Sequence, residues 1–265
     1  MNFVHFLSFI FFIFLLSNLN NAVYGQQGDS KEKQKDLLSS LNWKKWSPDP
    51  VPLFTPQESL SQFKLAPGFR IELVAHEPMV KDPVFIDWDD EGRMWVGELR
   101  TYMMDLDGTG EDRRMSRVMV LEDTDQDGVM DQATPFLEDM LNVRSLAFVD
   151  GGVLVVETGG LWLCKDKDGD LRCDERKKLF DFATSAKDNI EHAENALHYA
   201  LDNWMYNSKS SRKLAWRMGR LIEMPAKARG QWGMGSDAYG RLFFNHNGQW
   251  FETDWAMYDW QWPSK

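Results

Sequence analysis
The stretch Pro83-Val-Phe-Ile-Asp-Trp-Asp-Asp-Glu-Gly-Arg-Met-Trp-Val-Gly-Glu98 decides the fold. An apolar segment runs into a turn of Asp, Glu and Gly, and a second apolar segment runs out. Alternation and β-branched or aromatic content mark each arm as a strand, and the polar cluster marks a hairpin turn. The same unit returns as Val143-Arg-Ser-Leu-Ala-Phe-Val-Asp-Gly-Gly-Val-Leu-Val-Val-Glu157. It returns again as Ala196-Leu-His-Tyr-Ala-Leu-Asp-Asn-Trp-Met-Tyr206 and as Gly233-Met-Gly-Ser-Asp-Ala-Tyr-Gly-Arg-Leu-Phe-Phe244. Turn residues Gly92, Gly151, Asn203 and Gly240 are spaced like the blades of a β-propeller with insertions. A β-sandwich is the alternative, but a sandwich does not repeat one hairpin. The expected fold is therefore all-β, an incomplete β-propeller of about four blades.

Working outward, Phe69-Arg-Ile-Glu-Leu-Val-Ala75 alternates with period two and predicts a further strand. Thr55-Pro-Gln-Glu58 is a capping box with proline at the first helical position, so a short helix is expected through about Phe63. The predicted domains are a signal peptide over 1–25, a linker over 26–54 and the partial propeller over 55–265. Phe6 to Leu16 is an apolar run broken only by Ser8, short for a membrane span and of signal-peptide length. Small residues Val23 and Gly25 suit a cut before Gln26, which makes the protein secreted or periplasmic; an uncleaved anchor is the alternative.

The chain has 265 residues and a formal net charge of -11, which argues against a nucleic-acid partner, since phosphates demand a basic face. Twelve tryptophans suit blade packing, or else the wall of a sugar pocket. The two cysteines, Cys164 and Cys173, can pair after export or persist as half-buried thiols.

Asp123-Thr-Asp-Gln-Asp-Gly-Val-Met-Asp131 has the start of a calcium loop, with Asp123, Asp125, Asp127 and Asp131 as ligands and glycine for the bend. Thr134 stands where a bidentate Glu would usually close such a loop. A second loop offers Asp166, Asp168, Asp170 and Asp174; aligned on Asp-x-Asp-Gly, Cys164 replaces its first carboxylate. Both stretches can also be plain solvated acidic hairpins. Asp105-Leu-Asp-Gly-Thr-Gly-Glu-Asp112 reads as an ordinary polar turn. Glu191-His192 pairs a carboxylate with a near-neutral base and is a candidate for general-base chemistry, against a structural or surface histidine. His198 and His246 have no comparable context. Zinc spacings, a phosphate loop and a haem signature are missing from the sequence.

Several stretches together resemble one family: Phe69 through Pro78, Gly92-Arg-Met-Trp-Val, Arg117 through Gly128 and Arg229-Gly-Gln-Trp-Gly233. They look like the propeller domain of the membrane-bound dehydrogenases of planctomycete-type and related bacteria, often joined to a cytochrome c haem module. That family is itself similar to the soluble quinoprotein glucose and sorbosone dehydrogenases, six-bladed propellers that use pyrroloquinoline quinone and calcium. The resemblance implies a sugar or alcohol substrate and a cytochrome c-type electron acceptor. It matches a catalytic His with Leu, Asp and Tyr downstream to His192, Leu197, Asp202 and Tyr206. Glu191 stands where Asp or Asn is typical. It also assigns Arg229 to quinone binding, although Gly230 replaces the family's Asn. On this basis the expected function is a quinone-dependent dehydrogenase. A non-catalytic, calcium-stabilised propeller that binds a glycan or protein is the alternative, and a calcium-dependent lactonase-type hydrolase a third.

Overall fold
A computed structural model describes residues 53–105, 107–181 and 193–254. The proposed signal peptide, most of the linker, Glu191 and His192 lie outside the described residues. The chain divides into Met1–Leu53 and a compact unit, Phe54–Lys265.

That unit is built from antiparallel meanders, because each hairpin repeat continues into further strands. The first sheet is β1 (Pro83–Trp88), β2 (Met94–Glu98), β3 (Ser116–Glu122) and β4 (Gln132–Met140). The second is β5 (Ser145–Val149), β6 (Gly152–Glu157), β7 (Gly160–Lys165) and β8 (Glu175–Phe180). The third is β9 (Asn195–Tyr199), β10 (Met205–Ser208), β11 (Arg212–Arg217) and β12 (Arg220–Pro225). The fourth holds β13 (Gly235–Ser236), β14 (Leu242–His246) and β15 (Gln249–Thr253). Strands follow chain order in every sheet, the up-and-down topology of propeller blades. The protein is an all-β propeller of four blades over the described residues.

Blades pack face to face. Trp95, Val118, Val120 and Phe136 of the first meet Val143, Leu146, Val153 and Val155 at the second. Trp95 takes edge-on contacts from Phe136 and Phe148 at 4.6 and 5.3 Å between ring centres. Leu154, Val156 and Leu161 of the second blade meet Leu197, Met205 and Leu214 of the third. Burying side chains of this size stabilises by about 1.5–3 kcal/mol each, so the blade seams hold most of the apolar energy.

The turns bear out the repeat. Asp89 Oδ1 accepts from the Glu91 and Arg93 amides, and Asp237 Oδ1 accepts from those of Tyr239 and Arg241. The helix α1 (Pro56–Ser61) carries the full capping box between Thr55 and Glu58, though it stops two residues short of Phe63. One expectation fails. Phe69–Ala75 alternates as a strand should, yet it is not one. A strand needs a partner edge, and here the backbone bonds are a local turn from the Phe69 amide to Ala66 O and a single cross-chain bond, from the Met130 amide to Val74 O at 2.8 Å.

Candidate functional site
The first strands of the blades converge. A cavity of about 630 Å³ is lined by β1, β5, β9 and Trp232 to Met234, which lead into β13. Much of its wall is apolar, with Val84, Ile86, Val143, Leu146 and Leu197, and its polar groups are few: Asp87, Tyr102, Arg144, Ser145, Asn195 and His198. That balance is typical of a small-molecule site. Burial pulls the Arg144 guanidinium down to about 10, with Tyr102 acting the other way, so it remains a cation at neutral pH. Burial also lowers the His198 imidazole, against the pull of Asp87, which favours a neutral ring. His198 Nε2 lies 3.0 Å from Ser236 Oγ, across from the third blade to the fourth. Ser145 Oγ accepts from the Leu197 amide at 3.2 Å, and Asn195 Oδ1 accepts from the Gly233 amide at 2.9 Å. These bonds tie the second, third and fourth blades together around the cavity.

Sequence reasoning missed this group, although all but Tyr102 lie in or beside the first strand of a repeated hairpin. Superposing the repeats would have shown Asp87 and His198 at equivalent places in the first and third copies, since each lies two residues before the turn-opening positions Asp89 and Ala200.

The acidic hairpins join β3 to β4 and β7 to β8, and each spans nine residues, 123–131 and 166–174. Aspartates occupy positions 1, 3, 5 and 9 of both. Positions 4 and 6 adopt left-handed backbone in both: Gln126 (φ 62) and Gly128 (φ 92), then Gly169 (φ 84) and Leu171 (φ 63). The alignment on Asp-x-Asp-Gly is therefore corrected. Asp166, not Cys164, is the counterpart of Asp123, because the two loops place their glycines at different left-handed positions. Hydrogen bonds follow the same plan. Asp123 accepts from the amides of Asp127 and Gly128, and Asp166 from those of Asp168, Gly169 and Leu171. Asp131 accepts from the Thr124 amide and Asp174 from the Lys167 amide. Burial opposes the Asp166 shift, but these amide bonds outweigh it and hold the carboxyl below its usual range. Carboxylate oxygens of Asp123, Asp125 and Asp131 lie within 4.8 Å of one another, as do those of Asp166, Asp168 and Asp174. Asp127 and Asp170 stand outside these triplets, accepting from the amides of Val129 and Arg172. Asp105 caps an ordinary turn, accepting from the Asp107 and Thr109 amides.

The residues matched to the sugar dehydrogenases come partly together. Tyr206 donates to Asp202 Oδ2 at 3.1 Å, and Arg229 stacks over the Tyr206 ring at 5.3 Å. Leu197 is buried against the second blade. Arg229 is only 3% exposed and does not line the cavity; its Nε donates to Asp254 Oδ2 at 2.5 Å and its Nη1 to Lys227 O. A side chain at Gly230 (φ 59) would bring its Cβ to 2.9 Å from that of Phe244, so the glycine in place of Asn is part of this packing. Cys164 and Cys173 are free thiols, and Cys173 packs against the apolar cluster that contains Cys164.

Residues 55–261 match a family model described as a domain of unknown function, DUF7133, and the chain belongs to that family. No curated protein matches it by sequence. Three solved structures are similar in part. A gluconolactonase from Xanthomonas campestris shares 13% identity at a TM-score of 0.46 over 69% of this chain and 60% of its own. The holo PQQ domain of a pyranose dehydrogenase from Coprinopsis cinerea shares 12% at 0.43, over 68% of this chain and 46% of its own. A streptogramin B lyase shares 11% at 0.39, over 69% and 57%. The chain thus spans less than two thirds of each, and no activity is transferred from them.

Proposed function
We propose that this member of the DUF7133 family is the ligand-binding propeller of an exported, secreted or periplasmic dehydrogenase that oxidises a sugar or alcohol. The observation that carries this reading is the cavity lined by the first strands of three blades and by Trp232 to Met234 at the entry to the fourth, apolar in most of its wall and furnished with one cation and a neutral-leaning imidazole. A planar, carboxylated quinone such as pyrroloquinoline quinone fits that chemistry. Arg144 would pair with a carboxylate, the role first assigned to Arg229, while Trp232 and Tyr102 offer aromatic surface. Arg229, committed to Asp254, would hold the wall instead. When bound, the quinone supplies a hydride acceptor. His192, oriented by Glu191, would take the substrate hydroxyl proton. Calcium in the hairpins of Asp123, Asp125, Asp127 and Asp131 and of Asp166, Asp168, Asp170 and Asp174 would stiffen the blades, with a cytochrome c-type protein receiving the electrons.

Quinone titration followed by tryptophan fluorescence tests the reading. Arg144→Ala should weaken binding about 10- to 100-fold, the worth of one charged hydrogen bond. His192→Gln should leave binding intact and cut dye reduction about 10²–10⁴-fold. Absence of quinone binding to the wild-type chain would remove the dehydrogenase reading. A second reading, a non-catalytic propeller that docks a glycan or protein, is favoured by the exposed Val84, Ile86 and Trp88 along β1. Sugar binding that is insensitive to quinone, and lost in Trp88→Ala, would establish it.

A further inference from the structure
We propose that Cys164 and Cys173 form a disulfide across the mouth of the second acidic hairpin, and that its redox state sets how well that hairpin holds a divalent cation. The second half rests on the calcium reading above; the first does not.

Comparison of the two hairpins carries the bridge. Cys164 lies two residues before its loop and Cys173 is the loop's eighth residue. The same places in the first hairpin are Leu121 and Met130, 0% and 7% exposed and members of one apolar cluster. The closing bonds match as well: Asp131 donates its amide to Glu122 O at 2.9 Å, and Asp174 to Lys165 O at 2.8 Å. The two positions therefore face each other beneath the loop in both blades. In the first blade an apolar contact seats the loop, and in the second Cys173 packs against the cluster that holds Cys164. Bridging them replaces that packing with a bond between two positions that face each other, the placement a disulfide requires. The bridge would brace Asp166 and Asp174, the first and last carboxylates of the loop, which reduces the ordering that cation binding must supply.

Access sets the chemistry. Cys164 is fully buried, whereas Cys173 is partly exposed and its Sγ lies 3.2 Å from Glu175 O. Cys173, as thiolate, attacks a small-molecule disulfide such as oxidised glutathione and releases one glutathione thiolate. Cys164 then loses its proton and displaces the second glutathione from the mixed disulfide. Two protein thiols are oxidised, their two protons pass through solvent to the two released glutathione thiolates, and one glutathione disulfide is reduced to two thiols.

The full chain is incubated with oxidised glutathione or with dithiothreitol, alkylated and mapped by mass spectrometry, and calcium binding is followed by titration. The oxidised chain should yield one cross-linked peptide pair and no alkylated cysteine. Its second hairpin, isolated in Asp125→Ala, should bind calcium about tenfold more tightly than when reduced. The Cys164→Ser, Cys173→Ser double variant should ignore the redox treatment. Two alkylated cysteines after oxidation, or a stable glutathione adduct on Cys173, would overturn the bridge. Equal affinity in both redox states would overturn the coupling while leaving the bridge. Lack of calcium binding in every form would overturn the calcium reading and the coupling with it, and the cross-linked mass would still decide the bridge.

Discussion

The two ends of the blades treat negative charge in opposite ways. In a meander, successive turns alternate ends, so the acidic hairpins lie opposite the ends of β2 and β6. At those strand ends Glu98 and Glu157 are buried, and each is closed off by arginine. Arg117 donates to Glu98 at 2.5 Å, and the Lys81 amide adds a second bond. Glu157 takes Arg176 at 2.8 Å, Arg114 at 3.0 Å and the Leu141 amide. At the hairpin end, the carboxylates of Asp123 to Asp131 are met by backbone amides and the Thr124 hydroxyl. Amides orient a carboxylate without cancelling its charge. The first arrangement is complete as it stands and serves the fold, whereas the second gathers like charges at a cost that a cation would remove.

The largest expected effect falls at the closed end. Glu157→Ala strands two guanidinium groups and the Leu141 amide, and breaking a buried pair in this way costs about 3–5 kcal/mol. Urea melts should show it, with the loss unchanged by calcium or chelator. A loss below about 1 kcal/mol would mean that the arginines simply turn to solvent, as surface pairs do.

At the open end, calcium at 100 times its dissociation constant should add about 2.7 kcal/mol per hairpin. For a domain of this size that corresponds to roughly 5–10 °C in the melting temperature. Asp125→Ala and Asp168→Ala should each remove one share, and the double variant all of it. Identical melts with calcium and with chelator would leave both hairpins as solvated loops.

A smaller effect exploits the third blade. There, β11 and β12 are joined by Met218 (φ 50) and Gly219 (φ 72) alone, a two-residue turn of the kind that suits a twisted hairpin. Replacing 123–131 with Asn-Gly should return about 1.3 kcal/mol of loop entropy. It also deletes buried Met130, worth about 1.5–3 kcal/mol. The net should be a loss of about 1 kcal/mol without calcium, with one hairpin's calcium shift gone. A full calcium shift in the grafted chain would place the ion elsewhere.

Much of the open end was legible in the sequence, because a hairpin and its turn are local. The capping box at Thr55, the four hairpin repeats and the aspartates at positions 1, 3, 5 and 9 all stand within short windows. Register between the two loops was harder to read. Glycine marks position 6 in one and position 4 in the other, while Gln126 and Leu171 adopt the remaining left-handed sites. Alternation in Phe69–Ala75 could not reveal that the segment lacks a pairing edge. The cavity was illegible for a different reason. Asp87, Arg144, His198 and Trp232 come from four blades and meet only once the blades are stacked. Burial of Arg229 against Asp254 likewise depends on a partner 25 residues away.

The smallest predicted effect asks whether the cavity, unlike the hairpins, responds near neutral pH. Burial depresses the His198 pKa below that of the unfolded chain, about 6.5, despite the charge of Asp87. A group whose folded pKa is depressed contributes stability above the unfolded value and loses it as pH falls through the folded one. Acidification from pH 7.5 to 5 should therefore lower stability, because the ring must take a proton in a site that disfavours charge. His198→Gln keeps a polar group within reach of Ser236 and cannot titrate, so its melting temperature should fall less over the same range. Comparing the two chains cancels the other histidines and the carboxylates of the hairpins. Equal slopes would show that the imbalance between Asp87 and burial is too slight to matter. A steeper fall in the variant would mean that the protonated ring is held by Asp87, making the cavity a cation-tolerant site and reversing the sign of its response.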